Sequence, residues 1–175
     1  MGKTLRIAGT IGESIVDGPG FRYVIFTQGC PHHCPGCHNP ETHDFAGGTE
    51  IDSDVLVQDI LKNPLLSGVT FSGGEPFCQA GQLVPLAENL KAAGYELASY
   101  SGYTFEQLLA GTPEQKALLG LLDILVDGPF VLAQRNLDLL FRGSENQRIL
   151  DVPKSLAAGS AVWCTAPRWV GEKQG

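Results

Sequence analysis

"FRYVIFTQGCPHHCPGCHNPE", residues 21–41, runs from a stretch that reads as strand into a loop that cannot be one. Apart from Arg22, residues 21–27 are all aromatic or β-branched, the composition of a buried strand. The remainder crowds Cys30, Cys34 and Cys37 with His32, His33 and His38 into nine positions of a chain that has five cysteines and four histidines. Pro31 and Pro35 follow cysteines directly and Gly36 precedes one, which limits helix formation and lets three thiols point at one centre. Structural zinc usually takes four ligands from paired C-x-x-C units, so a histidine or a distant group would have to complete such a site. An iron–sulfur cubane held by three thiolates instead keeps one iron open. The C-x-x-x-C-x-x-C spacing favours the second reading and leaves the first open. His32 and His33, between the first two cysteines, read as solvent-facing loop residues. His38 is placed either to pack against a bound cofactor or to cap the loop.

Outward from this loop, strand and helix alternate. Residues 52–63 show helical apolar spacing behind Asp52 and Ser53 as candidate N-caps. "SGVTFSGG" (67–74) is a short buried strand ending in glycines, and 80–94 is a helix with Gly94 as its stop. Residues 95–100, 104–111, 113–120 and 122–129 repeat the pattern of strand, helix, helix and strand. Alternation of this kind predicts an α/β fold with a mostly parallel sheet. The chain is too short for eight βα units, so the expected form is a partial, open βα barrel with its chemistry at the carboxyl ends of the strands. Three such ends carry unusual residues: the cysteine loop, "SGGEP" after 71 and "SYSGY" after 98.

With 175 residues, 43% of them apolar, one domain with one sizeable core is expected over 1–175, and 154–175 forms a C-terminal tail. A formal charge of −7 leaves no broad basic face for a nucleic-acid backbone. The N-terminal residues lack the apolar run of a signal peptide, and "ALLGLLDILV" (117–126) is too short to span a bilayer and contains Asp123. A cytoplasmic protein with no membrane and no nucleic-acid partner is therefore expected. Crowded cysteines without an export signal point to metal or redox chemistry. Cys78 and Cys164 stand apart as ordinary thiols.

Gly73 and Gly74 at a strand end allow close backbone approach to a ligand, with amide hydrogens for a carboxylate, and Glu75 offers an acceptor for an ammonium group. Taken with the cysteine loop, this motif resembles the radical S-adenosylmethionine superfamily. Cys30, Cys34 and Cys37 match that family's cluster ligands, and Gly73, Gly74 and Glu75 match the motif that holds the methionine amino group. "DGPGFRYVIFTQGCPHHCPGCHNPET" (17–42) is similar to the start of the glycyl-radical-enzyme activases. "YSGYTFEQL" (100–108), "LVDGPF" (125–130) and "FRGSENQR" (141–148) resemble those that serve anaerobic ribonucleoside-triphosphate reductase. The likeness spans roughly residues 13–152. Some relatives carry an aromatic residue where His43 stands, and the tail from Lys154 exceeds the shortest members.

The resemblance implies a 4Fe-4S cluster on the three cysteines, with S-adenosyl-L-methionine as the ligand of its open iron. An electron donor such as a flavodoxin or ferredoxin would reduce the cluster, and the sulfonium would be cleaved to methionine and a 5′-deoxyadenosyl radical. That radical would take a Cα hydrogen from a glycine of the partner, the glycyl-radical subunit of anaerobic ribonucleoside-triphosphate reductase. No protein acid or base is needed. Gly36 and His38, flanking Cys37, are expected on the adenine side, with Cys37 itself among the cofactor-binding residues, and Ser99, Ser101 and Asp127 as contacts to ribose or methionine or else as strand-end caps. Arg142 is expected either to meet a carboxylate of cofactor or partner, or to form a structural ion pair with Asp123, Asp138 or Glu145.

Overall fold

Seven strands form one sheet in the order β3-β1-β2-β4-β5-β6-β7 in the computed structural model, which describes residues 4–32, 44–136 and 138–170. The strands are β1 (Thr4–Ser14), β2 (Arg22–Thr27), β3 (Thr49–Asp52), β4 (Gly68–Gly73), β5 (Glu96–Tyr100), β6 (Ile124–Asp127) and β7 (Arg148–Asp151). Pairings from β2 through β4 and β5 to β6 are parallel, as the alternation predicts. The outer pairings, β1 with β2 and β3 and β6 with β7, are antiparallel. The sheet is open, since β3 and β7 each pair with one strand. The α/β expectation holds, with three outer strands, β1, β3 and β7, joined through antiparallel pairings that the apolar patterning does not announce.

The helices are α1 (Ser53–Leu61), α2 (Ala80–Ala92), α3 (Phe105–Leu109), α4 (Pro113–Leu121), α5 (Val152–Ala158) and α6 (Pro167–Val170). Their starts follow from local chemistry. Asp52 accepts from the Asp54 amide at α1, while Thr104 with Gln107 and Thr112 with Gln115 form reciprocal capping boxes at α3 and α4. Gly94 stands just past α2 with φ +92°, a conformation that costs other residues a Cβ clash.

Alternation along the strands divides the core in two. Tyr23, Ile25, Val69, Phe71, Leu97, Leu125 and Leu150 pack against Leu56, Leu83, Leu86, Leu90 and Leu118 of the helices. On the opposite face, Ala98, Ile124, Val126 and Ile149 pack with Cys164 and Trp169, both from the C-terminal stretch. That stretch lies along β7: the Cys164 amide donates to the Ile149 carbonyl and the Asp151 amide to that of Val162, at 2.9 Å each. Trp169 is fully buried. Among the described residues, no helix is long and apolar enough to cross a membrane.

The parallel register puts the carboxyl ends of β2, β4, β5 and β6 side by side. Thr27 stands opposite Gly73, Phe71 opposite Ser99, and Tyr100 opposite Val126. The loops that follow these ends carry the cysteines, the glycine motif, Ser101 and Gly128.

Candidate functional site

At the end of β2 the chain turns through Gly29, whose φ of +104° is open to glycine, and delivers Cys30 at 7% exposure. At the end of β4, Gly73 has φ +94°, and a Cβ there would sit 2.5 Å from the Thr27 amide nitrogen. Only glycine fits. The two loops are then joined by backbone: the Gly74 amide donates to the Thr27 carbonyl at 2.8 Å, and the Glu75 amide to that of Gly29 at 2.7 Å. The expectation of free amides at this motif is thus corrected for Gly74 and Glu75, because neighbouring carbonyls use both.

Glu75 also departs from expectation. Its side chain is fully buried. Oε1 accepts from the Gly102 amide at 2.7 Å and lies 2.6 Å from His32 Nε2, and Oε2 accepts from the Phe77 amide at 3.0 Å. Ser101 Oγ sits 3.0 and 2.9 Å from the two oxygens. A carboxylate offers about four lone-pair sites, and these donors fill them. The acid therefore supports the rim from behind and presents no oxygen to an ammonium group. His32, expected to face solvent, is turned inward: its side chain is 16% exposed, and its ring meets Tyr103 edge-on at 4.6 Å.

A cleft of about 110 Å³ lies over this junction, lined by Cys30, His32, Gly73, Gly74, Ser101 and Gly102 on one side and by Gly128, Phe130 and Gln147 on the other. It shares Gly73, Tyr100, Phe130 and Gln147 with a groove of about 370 Å³ whose walls include Val16, Leu139, Phe141 and Arg142. That volume is in the range of small-molecule sites, roughly 300–1,000 Å³. The donor set fits a thiolate-held cluster beside a small ligand, because a buried thiol opens onto a cleft walled by glycine backbone. Among the described residues no three His, Cys, Asp or Glu side chains form a metal-binding group. Cys34, Cys37, Gly36 and His38 lie outside the described residues, as do His33 and His43.

Asp127 is buried but is not on the cleft wall: its carboxylate accepts from the Phe105 amide at 2.7 Å and from Arg148 Nε at 3.0 Å. It therefore ties the start of α3 and the Arg148 end of β7 to the end of β6. Hydrogen bonds to Asp127 and Glu106 raise the Arg148 pKa further. Ser99 is buried and bonded to the Tyr100 carbonyl at 2.9 Å. Arg142 pairs with no carboxylate among the described residues. Its Nη1 donates to the Gln147 carbonyl at 2.9 Å and its guanidinium lies 5.4 Å from the Trp163 ring centre. Burial lowers its pKa.

Burial, with Cys78 and Glu75 nearby, pushes the Tyr103 hydroxyl up to about 12, and burial, with Asp17 nearby, outweighs Arg22 and lifts that of Tyr100. Neither phenol ionises in the physiological range. The Cys78 and Cys164 thiols are likewise pushed up, chiefly by burial, which suits inert thiols. Sequence reasoning missed His32, Tyr100, Phe130 and Gln147 as cleft residues. The last three fall inside the quoted segments 100–108, 125–130 and 141–148, so the signal was present without a role attached.

The family described as "4Fe-4S single cluster domain" matches residues 16–150. The anaerobic ribonucleoside-triphosphate reductase-activating protein of Haemophilus influenzae is 33% identical over 144 residues, covering 77% of this chain and 90% of that protein. The pyruvate formate-lyase-activating enzyme of Clostridium pasteurianum is 38% identical over 116 residues, or 61% of this chain and 49% of that enzyme. Among solved structures, QueE from Escherichia coli aligns with a TM-score of 0.46 at 21% identity, over 58% of this chain and 53% of that one. A single-cluster match across both motif loops, and a relative matched over nine-tenths of its length, place this chain in the 4Fe-4S single cluster domain family, among the anaerobic ribonucleoside-triphosphate reductase-activating proteins.

Proposed function

We propose that this chain activates anaerobic ribonucleoside-triphosphate reductase by generating a glycyl radical on it. The observation that carries the reading is the meeting of Cys30 with Gly73 and Gly74 in one cleft, in a chain that matches reductase-activating proteins over most of their length. Cys30, with Cys34 and Cys37, would hold the 4Fe-4S cluster, and Gly73 and Gly74 would receive the methionine end of S-adenosyl-L-methionine. Once bound, this pair supplies one-electron reductive cleavage of the sulfonium and a carbon radical able to take hydrogen from a glycine Cα. The chain's own residues bind and orient. Glu75 and Ser101 brace the rim, and Phe130 and Tyr100 exclude water from the cleft. The groove past Val16 and Phe141 gives a partner loop access. Gly36 and His38, flanking Cys37, are proposed on the adenine side.

A flavodoxin or ferredoxin is proposed as electron donor, and the cytoplasm as compartment. The acidic charge of −7 supports a reading without nucleic acid. Residues 1–175 are proposed as one domain.

The test is anaerobic reconstitution with iron and sulfide, reduction, addition of S-adenosyl-L-methionine, and chromatography for 5′-deoxyadenosine. Wild type should release the nucleoside, and Cys34→Ala should release none. Zinc uptake without nucleoside would end the proposal in favour of a structural metal loop. Co-incubation with the reductase should give a glycyl-radical resonance signal that a formate-lyase does not. A signal with the lyase alone would reassign the partner.

A further inference from the structure

Glu75 collects donors from three loops, and one of them belongs to the cysteine loop. His32, two residues past Cys30, places Nε2 2.6 Å from Glu75 Oε1. A carboxylate only accepts, and both Glu75 oxygens already accept from the amides of Gly102 and Phe77, so the tautomer with its proton on Nε2 is assigned and Nε2 donates. The ring is held on two further sides. Tyr103 meets it edge-on at 4.6 Å, and Gly102 lies so close that a Cβ there would collide with the imidazole. Gly102 is not among the left-handed glycines, so this contact, and not backbone strain, is what excludes a side chain.

We propose that His32 is a positioning residue. Clamped between Glu75, Tyr103 and Gly102, it fixes the path of residues 30–32 and so sets how the Cys30 thiol faces the glycine rim. On the amino side of Cys30, the Gly29 carbonyl accepts from the Glu75 amide at 2.7 Å. One acid therefore holds the loop on both sides of the ligand, by its backbone before Cys30 and by its side chain after it. Groups that orient a metal ligand at one remove govern retention of the metal, and their loss typically costs roughly tenfold to a hundredfold in affinity.

The inference rests on the cluster reading above. Full-length wild type, His32→Ala, His32→Gln and Gly102→Ala are loaded with iron and sulfide without oxygen. Loss of iron to excess ferrous chelator is then timed, using chains whose iron-free melting temperatures stay within about 5 °C of wild type. His32→Ala should lose iron roughly ten to a hundred times faster. Gly102→Ala, which displaces the ring and leaves Glu75 in place, should match it, and serves alone if His32→Ala fails to fold. His32→Gln, whose amide nitrogen can replace Nε2 as donor, should stay within about threefold of wild type. Wild-type rates in both alanine variants, or a glutamine variant as leaky as alanine, would overturn the clamp and make His32 a packing residue. A wild-type chain that takes up no iron would overturn the cluster reading and the clamp with it.

Discussion

The two ends of the parallel sheet are each organised around a glutamate, Glu75 fully buried and Glu96 partly so, and the two are satisfied in opposite ways. At the carboxyl-end rim, Glu75 is surrounded by backbone amides, one hydroxyl and one imidazole. At the amino-end floor, Glu96 Oε1 accepts from Arg22 Nη1 at 2.9 Å, Arg168 Nη1 at 3.0 Å and Trp169 Nε1 at 3.2 Å, and Oε2 pairs with Arg168 Nη2. Arg22 is itself fully buried, bonded also to Thr70 Oγ1 at 2.8 Å and lying 5.2 Å from the Trp169 ring centre. The floor thus neutralises charge with charge and ties the C-terminal stretch to β2, β4 and β5. The rim keeps its acid among fixed dipoles, beside a cleft. One arrangement secures the fold and the other fixes loop geometry.

If that division holds, the largest effect on stability belongs to the floor. Arg22→Met removes the fully buried member of its pair with Glu96 and should cost about 3–5 kcal/mol, read as a fall in the urea midpoint. Cleavage of S-adenosyl-L-methionine per folded chain should match wild type, and a proportional loss of activity would erase the distinction between the two ends.

Glu75→Ala should do the reverse. Leaving the amides of Phe77 and Gly102 without their acceptor costs roughly 1–3 kcal/mol, less than at the floor, while iron retention falls roughly tenfold or more. Should iron retention track the melting temperature in both variants, the rim has no role beyond stability.

Acid titration sharpens the contrast at the floor. Burial pushes the Glu96 carboxyl up, but Arg168 and Arg22 together outweigh it and hold it below the usual range. A depressed folded value contributes stability above the unfolded pKa of about 4.3, lost as pH falls through the folded value. The urea midpoint of wild type should therefore exceed that of Glu96→Gln by a constant margin between about pH 5 and 7, and the margin should close below about pH 4. An unchanged margin in acid would show that Glu96 does not act as an ion there.

The smallest effect is expected midway. Glu106 is 57% exposed on its side chain and shares Arg148 with buried Asp127. Glu106→Ala should cost about 0–1 kcal/mol, within a few degrees of melting temperature, because Asp127 retains the guanidinium. A larger loss would mean that Glu106, and not Asp127 alone, holds Arg148 and with it the end of β7.

The centre of the sheet was legible in the sequence and its edges were not. β2, β4, β5 and β6 are short apolar runs bounded by glycine or acid, and each was read within a residue or two of its observed limits. β1 was missed because Gly9, Gly12 and exposed polar residues break its pattern, as suits a strand largely open to solvent. β3 and β7 span four residues each, as β6 does, but they read TEID and RILD and lack the unbroken apolar run, ILV, that marks β6. At the site, residue type identified Cys30, Gly73 and Gly74, because thiolate chemistry and a positive φ each admit few alternatives. The partners of Glu75 were not legible, since His32, Ser101 and Gly102 reach it only across three parallel strands.

Residue spacing alone determined the parallel α/β centre, the cysteine loop at a strand end and the glycine motif beside it, because each is local: a few consecutive residues state the chemistry. Tertiary structure decided which way the polar groups point. It turned His32 inward, gave Glu75 to the protein's own amides, tied Asp127 to the start of α3 and buried Trp169 over Arg22. Those outcomes depend on which donor lies within about 3 Å of which acceptor once the strands are packed, and no property of a residue in isolation fixes that distance.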